Sequence, residues 1–118
     1  MIELKTIENK QQLIASVDIQ LKTKVLECSW SNNINENFFL LPKTFLSVND
    51  SLSAEDLFTK VTLVGIAKFI SINEKGNVFP VINYEDRKVF FVSNKNIKKD
   101  ELISYMFLPE SFPHVTIQ

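Results

Sequence analysis

Glycine is almost missing from this chain of 118 residues, with Gly65 and Gly76 the only two. That scarcity rules out the GxGxxG and GxxxxGK[ST] loops that cradle phosphates. Enzymes that wrap glycine-rich loops around nucleotides are therefore not expected, and no cofactor is. Histidine and cysteine are just as scarce, at one each, His114 and Cys28. No intrachain disulfide can form, which agrees with a reducing compartment. The Cys/His zinc sets are excluded too, so no metal is expected. Arginine also occurs once, as Arg87, beside twelve lysines.

Long apolar runs are absent as well. The stretch from Val61 to Ile72 is interrupted by Thr62, Lys68 and Ser71, and falls short of the ~20 residues that span a bilayer. The N-terminus carries charge early and has no apolar signal core. The expected setting is therefore soluble and cytoplasmic, with no membrane partner. Thirteen basic residues oppose fourteen acidic ones, for a formal charge of −1. That balance makes tracking along a nucleic-acid backbone an unexpected role.

What is present is apolar and aromatic. Hydrophobic residues make up 45% of the chain, including ten Phe, two Tyr and one Trp. A chain this long is most simply one domain with one core. The pairs Phe38-Phe39 and Phe90-Phe91 must each point to opposite faces of a strand, so either both faces are covered or one ring is exposed.

The pattern along the chain predicts an α+β class: a single domain, residues 1–118, with a mostly antiparallel sheet and two or three short helices. Residues 2–5 alternate as a first strand. Residues 10–17 place Leu13, Ile14 and Val17 on one side and predict a short helix. Residues 19–25 alternate at period two, and the phase slips at Val25-Leu26 as at a β-bulge, leaving Leu26, Cys28 and Trp30 on the inward parity. A polar turn spans 31–37, and Phe38–Leu41 is a short strand ended by Pro42. Ser53 and Leu57 have the spacing of a capped helix over about 53–60. Three antiparallel strands over 61–93 form a meander at the sheet's centre, with Gly76 supplying a positive φ in the first connection. A last helix is predicted over 97–107.

Function is argued by elimination. A Cys28–His114 dyad is the only nucleophilic pair the composition allows, and Cys28 lies on the inward parity. Lys95, Lys98 and Lys99 form the only basic cluster, at once followed by Asp100 and Glu101. The hairpin tip Tyr84-Glu85-Asp86-Arg87-Lys88 is structural first, yet Tyr and Arg are residue types that anchor interfaces. The expectation is a non-enzymatic module that binds a protein partner, such as an inhibitor or immunity-type protein for a toxin or defence enzyme. Tyr84, Glu85, Asp86, Arg87, Lys88 and Phe91 would make the contact. The alternatives are a structural subunit of a homo-oligomer and a single-stranded nucleic-acid binder.

Overall fold

In the computed structural model, residues 1–33, 38–42 and 58–106 are described, and within them the chain is built almost wholly of strands. β1 (Ile2–Ile7) and β2 (Lys10–Ala15) form a two-stranded antiparallel hairpin. The remaining strands make one sheet: β3 (Lys24–Ser31), β4 (Phe39–Pro42), β5 (Phe58–Leu63), β6 (Ser71–Ile72), β7 (Val78–Asn83), β8 (Lys88–Ser93) and β9 (Ser104–Tyr105). Their spatial order is β4-β5-β3-β8-β7-β9-β6. A 3₁₀ turn, Gly65–Phe69, joins β5 to β6 and is the only helical element among the described residues. None of those residues forms a helix long and apolar enough to cross a membrane.

The predicted α+β class is thus corrected to a mainly β architecture. Residues 10–17 do not form a helix, because β2 is covered on both faces. Leu13, Ile14 and Ala15 are consecutive and all buried. β1 holds one edge of β2, and the chain at 100–103 holds the other. Asp100 N donates to Ala15 O, Ala15 N to Glu101 O and Ile103 N to Leu13 O. Three adjacent buried apolar residues mimic a helix face when read in sequence alone.

The same ladder overturns the helix predicted over 97–107. Ile97 and Leu102 make bridges to Ile19 and Ile14, and Asp100 takes a φ of 74°. A left-handed residue at that point breaks any α-helix. Of the helix predicted over 53–60, residues 58–60 open β5 instead, and the rest lies outside the described residues.

The meander survives only as the β7–β8 hairpin. Its first predicted strand is broken after Leu63, where the chain turns at Gly65. β5 then pairs with β3 and β4 and lies nowhere beside β7. The bulge does occur, as a register shift between Lys24 and Leu26 against β8.

The core lies on the concave side of β3, β8 and β7. Cross-strand pairing puts Leu26, Cys28 and Trp30 on the same face as Val89 and Phe91. Phe91 is wholly buried, set edge-on against Phe39 and tilted against Tyr105. Each Phe pair divides: Phe39 and Phe91 point inward, Phe38 is 47% exposed, and Phe90 is half-buried. Lysine ammonium groups lie over the two outer rings, Lys60 on Phe38 and Lys24 on Phe90.

The most constrained region is a crossing near the sheet's far edge. β9 runs parallel to both β6 and β7, so the chain at 73–77 must pass over it. Asn73 N donates to Tyr105 O, and Asn77 N to Ser104 O. The buried Asn77 side chain accepts from Ser104 N and donates to Leu102 O. Asn94 Nδ2 donates to Gly76 O. A Cβ on Gly76 would lie 2.5 Å from the Tyr105 carbonyl carbon and 2.7 Å from Met106 N. The positive φ expected of Gly76 belongs instead to Gly65, at 79°. Gly76 is required for closeness rather than for conformation.

Candidate functional site

The residues proposed from sequence as a contact surface are not a free surface. Phe91 is in the core. The Arg87 guanidinium lies 5.2 Å from the centroid of the Trp30 ring, and Tyr84 meets the same ring edge-on at 6.2 Å. Burial pushes the Tyr84 hydroxyl up to about 12. Asn83 Oδ1 accepts from Asp86 N, and Asn83 Nδ2 donates to Asp86 Oδ2. Lys88 opens β8 opposite Asn83, while Glu85 stands exposed at the tip. The tip closes the hairpin and covers Trp30, which is 8% exposed.

Cys28 is a core thiol. Burial, reinforced by Glu27 and weakly opposed by Lys88, pushes it up to about 12, so it stays protonated at neutral pH. His114 lies outside the described residues. No three His, Cys, Asp or Glu side chains converge among the described residues as a metal set would.

Two surface hollows of about 470 Å³ each are large enough for a small molecule. One lies between residues 18–21 and 96–98. Its polar groups are committed to the backbone: Asp18 Oδ1 accepts from Lys99 N, and Asn96 Oδ1 accepts from Leu21 N. The other lies between the β1–β2 turn and the chain entering β6. Asn9, Lys10 and Gln11 form one wall, and Phe69, Ile70, Ser71 and Ile72 the other.

The first wall is set by a two-residue turn. Glu8 and Asn9 have φ of 53° and 65°, the left-handed pair that a type I′ hairpin requires. Asn tolerates that region better than Glu does, so Glu8 stores local strain. The second wall is set by the crossing, which anchors β6 to β9 at Ser71–Ser104 and Ile72–Tyr105. Among the described residues, the side chains of Asn9, Lys10, Gln11 and Ser71 make no hydrogen bond or ion pair. They are free to meet a ligand. This second hollow is the candidate site.

None of its residues was singled out from sequence. Its walls come from segments about sixty positions apart, and no motif joins them. One local signal was available: Glu8-Asn9 separates two strand-like runs by two residues, as in a tight hairpin.

No protein-family model matches the chain, and no curated protein matches it in sequence. Solved structures do match in shape. A Plasmodium falciparum protein assigned as a histone methyltransferase superposes with a TM-score of 0.62 at 12% identity, covering 92% of this chain and 93% of its own. The SET domain of the RIZ1 tumour suppressor gives 0.61 at 12% identity, covering 97% of this chain and 73% of its own. The methyltransferase domain of human PR domain-containing protein 2 gives 0.58 at 14%, covering 95% and 80%.

The fold is SET-like. That likeness overturns the reading of the chain as a non-enzymatic inhibitor or immunity-type module, together with its structural-subunit and nucleic-acid alternatives. The elimination behind that reading rested on missing Cys and His chemistry. Methyl transfer onto nitrogen needs no protein nucleophile and no metal, so a SET-like domain can be poor in both residue types.

Proposed function

We propose that this chain is a methyltransferase domain that moves a methyl group from a sulfonium donor such as S-adenosylmethionine to a nitrogen atom of a protein side chain. The observation that carries this reading is the agreement of fold with methyltransferase domains over 92–97% of the chain. The hollow beside the β1–β2 turn is the donor site in this proposal.

The residues there suit such a donor. The volume, about 470 Å³, lies within the range of small-molecule pockets. Uncommitted amides on Asn9 and Gln11 and the Ser71 hydroxyl can pair with the polar edges of a nucleoside. The Phe69 ring offers a face to positive charge. Bound there, the donor supplies a methyl carbon made electrophilic by its positively charged sulfur. Ile70 and Ile72 on the same wall keep water from the reacting carbon. Holding the two reactants in line is then the protein's main contribution to rate. The substrate nitrogen attacks that carbon, the C–S bond breaks, and the nitrogen's proton passes to solvent.

The test is transfer of a radiolabelled methyl group by the full chain to core histones and to total cell protein, read by autoradiography. Labelled protein above a no-enzyme control is the expected result. No label in either substrate, with no donor binding by calorimetry, would reject the reading.

A further inference from the structure

We infer that Lys10 fixes the orientation of the ligand in this pocket by pairing with a carboxylate, so that the site selects donors carrying an anionic end. This rests on the donor-site reading above and adds to it the group that is recognised.

Lys10 is the only formally charged residue lining the pocket; its other linings are amides, a hydroxyl and apolar groups. Most interacting lysines of the structure have visible employment. Lys5 and Lys24 meet Glu3 and Glu27, while Lys24, Lys60 and Lys68 lie over Phe rings. Lys10 has neither a carboxylate within 4.0 Å nor a ring among the described residues. Its backbone is nevertheless fixed, since it pairs with Ile7 directly after the left-handed Glu8-Asn9 turn.

An ammonium group repels a sulfonium. A cationic donor therefore gains from Lys10 only if it also carries a negative group placed away from its sulfur. An amino-acid carboxylate satisfies this condition. Pairing it with Lys10 on the hairpin wall turns the methyl-bearing sulfur toward the opposite wall, where Phe69 lies. The two walls thus read the two ends of the ligand by opposite electrostatics.

Calorimetric titration of the full chain with S-adenosylmethionine and with its decarboxylated analogue tests the inference. The native chain should bind the carboxylated donor about fivefold tighter, as fits one partly exposed ion pair. Lys10→Gln should abolish that preference while leaving affinity for the analogue intact or improved, and Lys10→Arg should retain it. Raising the salt concentration should erode the native preference. If the native chain binds both donors and Lys10→Gln leaves their ratio unchanged, the role of Lys10 is overturned and the donor site stands. If the native chain binds neither, the donor-site reading fails and takes this inference with it. Lys10 is exposed, so the variants are expected to melt with the native chain.

Discussion

Gly76→Ala should destabilise this protein far more than its small size suggests. The added Cβ would sit 2.5 Å from Tyr105 C, 2.7 Å from Met106 N and 2.8 Å from Ser104 O. All three are backbone atoms of β9 and its exit, so no side-chain rotation relieves the clash. β9 must move or the 73–77 segment must lift. Either strains the contacts made by Asn73 N, Asn77 N and the Asn77 side chain. Overpacking costs about 1–3 kcal/mol, and each weakened hydrogen bond about 1 kcal/mol. The lower chain entropy of alanine in the unfolded state returns only about 0.4–1 kcal/mol. A net loss of about 2–4 kcal/mol follows, a large share of the ~5–15 kcal/mol typical of a domain.

Gly65→Ala is the internal control. Gly65 has a φ of 79°, but nothing lies within 4 Å of its Cβ position. Its cost is left-handed strain alone, about 1–2 kcal/mol. Urea unfolding followed through Trp30, the single tryptophan, measures both variants. Gly76→Ala should also weaken donor binding, because β6 forms one wall of the pocket and is held through the same crossing. A Gly76→Ala chain as stable as Gly65→Ala, or more stable, would refute the close-approach argument.

Two further outcomes follow from the core. Arg87→Ala should lower stability by about 0.5–1 kcal/mol through loss of the cation over Trp30, and should shift Trp30 emission; unchanged emission and melting would show that the tip does not cover the ring. Alkaline stability should fall before the lysines have fully titrated. Cys28 and Tyr105 are raised by burial from 9.0 and 10.0 to about 12 in the folded state. Their contribution is whole below the unfolded values and is lost as pH rises toward 12, since the unfolded chain gives up those protons first. Melting temperatures flat to about pH 8.5 and falling above pH 9 would agree, whereas a flat profile to pH 11 would not.

Local pattern carried the parts of the fold whose partners are close in sequence. The alternation at Ile2-Glu3-Leu4-Lys5 became β1, and Val78–Asn83 with Lys88–Ser93 became a hairpin in register. The phase slip at Val25-Leu26 marked a true irregularity, and it placed Cys28 and Trp30 inward as they are. Where a partner is distant, the same reasoning failed. Leu13-Ile14-Ala15 looks helical because its second cover, residues 100–103, arrives from almost ninety positions away. The segment 97–103 looks helical for the reciprocal reason: its buried residues answer to β2 and to Ile19, not to a turn of helix.

The glycines make the same division. Sequence could show that only two are present, and that phosphate-wrapping loops are therefore excluded. It could not show which glycine needs a left-handed backbone and which needs an absent side chain, because that depends on β9 passing beneath Gly76. The candidate pocket is likewise a product of that crossing. Asn9, Lys10 and Gln11 come with a local turn readable from two residues, but the Phe69–Ile72 wall stands opposite them only once β6 is pinned to β9. The amino-acid order by itself determined strand periodicity, the inward parity of the central strand and the poverty of nucleophiles and metal ligands. The tertiary structure decided which strands meet, which rings are buried and where a ligand can sit, because those outcomes depend on long-range pairings that leave no local period in the chain.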